Sequence, residues 1–317
     1  MTEPKPYFLF TRTPLHVGAG QSVGYVDLPI QREPHTRIPI VPGSSLKGVL
    51  RDLFPGDDPA SKETRYWLFG HDTEEKEQSK YQAGALLIGE ARVLCFPVRS
   101  AKGSFAWITC PLALARYARD AKPMDSQNQP LPTTFNGLTE TPDAQGRVTI
   151  LARDEVTLTR TAGTQQVSEV VLEEYTYLAK VHTNLSEWER HLIAIPGLSA
   201  DPVWKLLSGR LVIVPDGIFS FYLQSACEIA QHVAINDDTG TAQDKALFNQ
   251  ENCPAETLFH GVMSAQKING KPADGENGAL SKLADLNGKP LQIGGGETTG
   301  LGWCSFIFNP NQNHSQQ

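Results

Sequence analysis

The chain has 317 residues, 20% charged and 40% hydrophobic, with a formal net charge of −7, so it is long enough for a large core and too acidic overall for an indiscriminate nucleic-acid binder. No apolar run approaches the roughly 18–20 residues of a membrane span, and the short apolar stretch in MTEPKPYFLF lacks the flanks of a signal peptide; a cytoplasmic location is expected. Five scattered cysteines without a C-x-x-C spacing suggest neither a zinc site nor a disulfide framework.

Tyr7–Arg12, rich in aromatic and apolar residues, predicts a first strand. A loop over Thr13–Gly43 follows, carrying His16 and Asp27. Ser44 and Ser45 then offer an N-cap, and Leu46, Val49, Leu50 and Leu53 recur at helical spacing before Pro55-Gly56. Ala85–Val98 and Ser104–Cys110 predict paired strands, and Pro111 opens a helix. Later strands are expected at Leu211–Val214, Ile218–Leu223, Leu258–Ser264 and Trp303–Phe308. Strands and helices are interspersed without strict β-α-β alternation, which fits an α+β fold, with a ferredoxin-like β-α-β-β-α-β unit broken by insertions as the candidate. We expect one domain over 1–310, with insertions near 57–82, 122–185 and 236–256, and a disordered tail over 311–317. The DDTG turn signal within the last insertion suggests a β-hairpin or arm.

Charge is placed unevenly. Between Ile30 and Arg51, Arg32, Arg37, Lys47 and Arg51 face Glu33 alone, a local basic stripe compatible with an RNA groove. Lys47, one turn into the predicted helix, adds a point charge to an anion site that the helix N-terminus already favours; a solvated surface lysine is the alternative. Gly294, Gly295, Gly296, Gly300 and Gly302 crowd the stretch before the last strand. Such a loop lets backbone approach a ligand and present N–H groups to an anion, or is simply a tight turn. It has neither the G-K-[ST] of a P-loop nor a following helix. Asp27 lies between a glycine-rich loop and a rigid Leu-Pro, where a carboxylate can act as general base, hold a divalent cation, or form an Asx turn. His16 is a candidate acid, base or loop-orienting residue. Glu251 and Glu256 are close enough in sequence to assist a metal, with solvated surface glutamates as the default.

Taken together, TPLHVGAG, VGYVDLPIQREPHTRIPIVPGSSLKGVLR, the AINDDTGTA…ALFNQENCPAETLF block and the closing IGGGETTGLGW resemble the RAMP superfamily of CRISPR proteins. The likeness is specifically to the repeated backbone subunit of the type III-B (Cmr) effector complex. It implies a modified RRM-like palm with a protruding thumb hairpin, placeable at 236–250 or within 150–185. It also implies a subunit that polymerises along a guide crRNA with copies of itself and with other subunits of the complex. Target single-stranded RNA is then cut at regular intervals, with a divalent metal, Mg2+ or Mn2+. On this resemblance Asp27 is the cleaving and metal-binding aspartate, His16 the histidine near the cut, and Glu256 an assisting carboxylate. Ser44, Ser45, Lys47, Arg51 and the five glycines contact RNA. One departure is Glu90, where an Asp is usual. A purely structural guide-binding subunit and a standalone, metal-free precursor processor relying on His16 are the alternatives.

Overall fold

The computed structural model describes residues 1–20, 26–71, 83–153, 158–162, 167–235 and 240–308. In chain order the strands are β1 (Lys5–Thr11), β2 (Ile40–Val41), β3 (Leu86–Ile88), β4 (Ala91–Ser100), β5 (Ser104–Thr109), β6 (Thr149–Leu151), β7 (Thr159–Ala162), β8 (Val167–Leu172), β9 (Tyr175–Lys180), β10 (Leu211–Ile213), β11 (Glu228–Ile235), β12 (Ala242–Asn252), β13 (Leu258–Ala265), β14 (Pro290–Gln292) and β15 (Trp303–Phe308). The α-helices are α1 (Gly43–Asp52), α2 (Pro59–Phe69), α3 (Pro111–Ala121), α4 (Thr183–Ile193) and α5 (Asp216–Ser225). The fold is therefore α+β.

One 13-stranded sheet runs β14-β15-β1-β13-β4-β5-β10-β6-β9-β8-β7, with β2 paired to β4 and β3 to β13 off this path. Its interior run β15-β1-β13-β4 is antiparallel throughout. Tyr7, Phe8, Leu9 and Phe10 of β1 are all buried, which explains a continuous apolar run instead of alternation. A bridge from Ser100 of β4 to Leu172 of β8 closes β4, β5, β10, β6, β9 and β8 into a six-stranded barrel-like ring. β11 and β12 form a separate two-stranded sheet that stands off the body, with Ile229, Val233, Ile235 and Leu247 exposed.

Several expectations change. Ile218–Leu223 is helical: Phe219, Tyr222 and Leu223 fall on one face and are buried, and Pro215 opens the helix with Asp216 in its first turn. Ser44 and Ser45 do not cap α1; the helix starts at Gly43 after Pro42, with no side-chain cap, so both serines lie in its first turn. A Cβ on Gly43 would fall 2.2 Å from the Ile88 carbonyl oxygen, so glycine is what allows α1 to start against β3. The predicted Ala85–Val98 strand breaks at Gly89-Glu90 into β3 and β4, where Gly89 N–H instead bonds the Val262 carbonyl at 2.9 Å.

The three stretches expected as insertions each carry regular structure. Within 57–82, α2 is capped by Asp58, whose carboxylate accepts from the Ala60 and Ser61 N–H groups. Within 122–185, β6, β8 and β9 join the main sheet. Within 236–256, β12 pairs with β11, so the hairpin is built by 228–252 and the 150–185 alternative belongs to the sheet. Asp237–Thr239 of the turn signal and the 311–317 tail lie outside the described residues.

Candidate functional site

The loop carrying His16 and Asp27 is laced to the root of β12. Leu15 and Cys253 exchange two backbone hydrogen bonds, both 2.8 Å. One residue on, His16 Nδ1 lies 2.7 Å from the Glu251 carbonyl oxygen, and the ring is 8% exposed. A carbonyl only accepts, so Nδ1 carries a proton, which in the neutral tautomer leaves the lone pair on Nε2. Further along, the 26–30 segment lies parallel to β12, with Leu28 N–H bonding the Asn249 carbonyl at 3.0 Å and Glu251 N–H bonding the Leu28 carbonyl at 2.9 Å. Asp27 is exposed, and its Oδ2 accepts the Asn249 N–H at 2.8 Å. His16 and Asp27 thus hang from residues 251 and 249 of one strand, anchors about 7 Å apart along it.

The glycine-rich loop supports the same place. Gly295 N–H bonds the His16 carbonyl at 2.8 Å, and Gly302 N–H bonds that of Pro14, also at 2.8 Å. Gly294 has φ +81°, and a Cβ there would sit 2.1 Å from the His16 oxygen. A Cβ on Gly295 would meet the imidazole at 3.5 Å. Gly300 N–H turns back on Glu297. The expectation that these glycines present N–H groups to RNA is corrected for Gly295, Gly300 and Gly302, whose donors are engaged within the protein; Gly294, Gly296, Gly300 and Gly302 all adopt left-handed φ, and the loop acts as a shaped backing for His16.

Two buried carboxylates, Glu251 and Glu33, hold the scaffold, a role that the sequence did not indicate for either. Glu251 accepts the Ile30 N–H at 3.0 Å and pairs with Arg32 Nη2 at 2.6 Å, both side chains under 10% exposed (9% and 6%). It is neither a solvated glutamate nor a free metal ligand, and Arg32 leaves the basic stripe. Glu33 sits between Arg92 Nε (2.9 Å) and Arg116 Nη1 (3.0 Å), with Thr36 also donating to it. Burial alone would raise its pKa; the bonds from Thr36 and Arg116 and the two guanidinium charges hold it below the ordinary range. Glu90 pairs with Arg92 at 2.6 Å, extending this network.

Glu256 stands apart. Its backbone is left-handed (φ 64°), its N–H bonds Thr11, and its carbonyl accepts from Trp107 Nε1 at 2.7 Å. Burial, then the charge of Asp201, raises its carboxyl pKa. Among the described residues no hydrogen bond or ion pair joins it to His16 or Asp27. On α1, Leu46 and Leu50 face the core, while Ser44 is exposed beside the free N–H groups of the first turn. Lys47 is half-buried and donates to the Leu86 carbonyl at 3.1 Å; burial, then Arg51, lowers its pKa. Arg51 is half-exposed on the same face, one turn on.

For a metal, the test is the donor set. Asp27 offers an exposed carboxylate with one oxygen engaged by Asn249, and among the described residues no three His, Cys, Asp or Glu side chains converge. That suits a hard cation sharing its shell with substrate phosphate and water, the habit of Mg2+, better than a closed protein cage.

A model of the RAMP superfamily matches residues 9–305, and the chain belongs to that superfamily. It is 34% identical over 307 residues to the CRISPR system Cmr endoribonuclease Cmr4 of Pyrococcus furiosus, covering 96% of each chain. The CRISPR system Cms endoribonuclease Csm3 of Mycobacterium tuberculosis is 37% identical over 95 residues, 26% of this chain and 38% of that one. The crystal structure of oligomeric Cmr4 from Pyrococcus furiosus superposes with a TM-score of 0.68 at 27% identity, covering 99% of this chain and all of that one. A chain from the type III-B Cmr-beta complex bound to cognate target RNA shares the fold (TM-score 0.67, 18% identity, 96% of this chain and 97% of that one).

Proposed function

We propose that this chain is the repeating backbone subunit of a type III-B CRISPR ribonucleoprotein and cuts the target RNA paired to its guide. The observation that carries the reading is the suspension of His16 and Asp27 from one strand at the root of a protruding hairpin. The relative over nearly the whole chain is named an endoribonuclease. Specificity then comes from base pairing, and the protein supplies grip and geometry.

The run β15-β1-β13-β4, in the order fourth-first-third-second of a ferredoxin-like unit with α1 between its first two strands, supports the palm reading. The β11–β12 hairpin is the thumb, its exposed aliphatic side chains suited to wedging a duplex apart. The first turn of α1, with Ser44 and Ser45, and the Lys47 and Arg51 side chains hold guide phosphates. At a wedged step the unstacked nucleotide turns its 2′-hydroxyl toward the adjacent phosphorus. Asp27 takes up that hydroxyl, as base or through a bound divalent cation, which would lower the hydroxyl pKa and neutralise phosphate charge. His16, with Nδ1 tied to Glu251, directs Nε2 as the group that orients or exchanges a proton with the phosphate. The products are a 2′,3′-cyclic phosphate and a 5′-hydroxyl. Glu256, set apart from this pair, has a supporting place only through the hairpin root. No helix among the described residues is long and apolar enough to cross a membrane, in keeping with a cytoplasmic complex.

In the assembled complex Asp27→Ala is expected to abolish target cutting while leaving guide and target binding within about twofold. Gel analysis of labelled target checks this, and undiminished cutting would reduce the chain to a structural guide-binding subunit.

A further inference from the structure

The two strands of the hairpin leave the body between two cysteines. The register runs Ile229↔Glu251 and Glu228↔Asn252, so one step toward the body sets Cys227 opposite Cys253. Opposed residues of an antiparallel pair have Cα atoms about 4.5–5.5 Å apart, inside the roughly 4.4–6.8 Å that a disulfide spans. Both thiols are free and buried, and the Cys253 sulfur donates to Thr257 Oγ1 at 3.6 Å. The Cys227 sulfur also accepts from Arg32 Nη2 at 3.5 Å and donates to the Leu223 carbonyl at 3.3 Å. No second thiol acts on Cys95, Cys110 or Cys304 among the described residues.

We propose that Cys227 and Cys253 form a peroxide-responsive dithiol that closes into a disulfide and staples the root of the hairpin. Cys227 is 9% exposed and Cys253 1%, so a small oxidant reaches Cys227 first. The Arg32 guanidinium, 3.5 Å from the Cys227 sulfur, stands where it can pair with the thiolate as the proton leaves. That thiolate attacks hydrogen peroxide: an S–O bond forms, the O–O bond breaks, and the hydroxide released is protonated to water. The Cys253 sulfur then attacks the Cys227 sulfenic acid: the S–S bond forms, the S–O bond breaks, and a second water leaves with the Cys253 proton. Two thiols and one peroxide give one disulfide and two waters. The cross-link fixes β11 to the strand whose residues 249 and 251 carry Asp27 and His16. The effect on cutting rests on the cleavage reading above; the thiol chemistry does not.

The test treats the full wild-type chain with hydrogen peroxide, blocks remaining thiols with iodoacetamide and maps peptides by mass spectrometry. A dithiothreitol-reversible Cys227–Cys253 peptide is expected, lost in Cys227→Ser and Cys253→Ser and retained in Cys95→Ser. The oxidised wild type should melt about 5–10 °C higher than the reduced chain, reverting on reduction. Sulfinic or sulfonic acid at Cys227 with Cys253 alkylated, a linked pair elsewhere, or an unchanged melting midpoint after quantitative cross-linking would each overturn the proposal. Because the peptide map is read on the wild type, it stands even where a serine variant folds poorly. Failure of Asp27→Ala to affect cutting would leave this result untouched.

Discussion

Glu251 ties the candidate site together. Its backbone carbonyl fixes the His16 tautomer, its N–H holds Leu28, and its carboxylate fixes Ile30 and Arg32. Glu251→Ala leaves the Arg32 guanidinium buried without its counter-charge, at a cost of about 3–5 kcal/mol. Urea denaturation is expected to show that loss, with guide-dependent cutting falling alongside. Nothing local announces this role: Glu251 stands in the polar run FNQENC, and its partner lies 219 residues away in sequence. Asp27 and His16 were legible because the resemblance pointed to their motif, not because either residue is unusual alone. His260 is a second buried residue with a measurable signature. Burial lowers its pKa from 6.5 to about 4, only partly opposed by Asp120 at 3.8 Å, and its Nε2 makes no hydrogen bond. The unfolded chain therefore takes up this proton at higher pH than the folded one. The stability it contributes is complete above pH 6.5 and is lost as pH falls toward about 4. That loss amounts to about 3 kcal/mol, and His260→Leu should flatten it in denaturation midpoints measured across that window. The depressed pKa of Glu33 adds its own loss below its ordinary 4.5, so the His260 contribution is read in the part of the window above pH 4.5.

At the scale of elements, α1 has two duties that a sequence pattern cannot separate. Its periodicity identified the helix, but not that Lys47 ties it to β3 through the Leu86 carbonyl. An ammonium has three donors, so that bond leaves two for a phosphate. Lys47→Ala should lower stability by about 1 kcal/mol and reduce the salt slope of guide binding by about one. Filter binding over a range of salt concentrations, with two unrelated guide sequences, checks that the loss is sequence-independent. Where the sequence misled, the cause was the same ambiguity of short apolar runs. IFSFYL reads equally as a strand or as the buried face of a helix, and Pro215 with tertiary packing decided for α5. β6 is three residues long and takes its identity from the barrel-like ring, so no local signal marks it, whereas the equally short β10 was legible in the apolar run Leu211–Val214. The hairpin was legible as an arm because its turn signal is local; its extent was not, since β11 follows directly on α5 with only Ala226 and Cys227 between.

On the scale of the molecule and its assembly, the acidic balance of the chain and the isolation of Asp27 have a joint consequence. A net charge of −7 disfavours indiscriminate adhesion of RNA, and on the proposed reading productive contact requires the guide to thread the α1 face of successive copies. A cation at Asp27 is in the same position: one exposed carboxylate, half engaged by Asn249, holds it weakly until target phosphate completes the shell. Two measurements follow. Chelation with EDTA should stop target cutting in the assembled complex without releasing guide or target, with Mg2+ or Mn2+ restoring it. Calorimetry should show Mn2+ binding to the guide-loaded complex only after addition of a target carrying 2′-deoxy nucleotides at the cut sites, and that binding should vanish in Asp27→Ala. Cutting that persists in EDTA would leave the proton transfer to Asp27 as general base and to His16, without a cation. Tight Mn2+ binding by the RNA-free chain would require a protein cage that the described residues do not form. With both outcomes as expected, the kinked RNA would recruit the metal as much as the protein does, and cutting would be confined to subunits whose hairpin has parted the duplex.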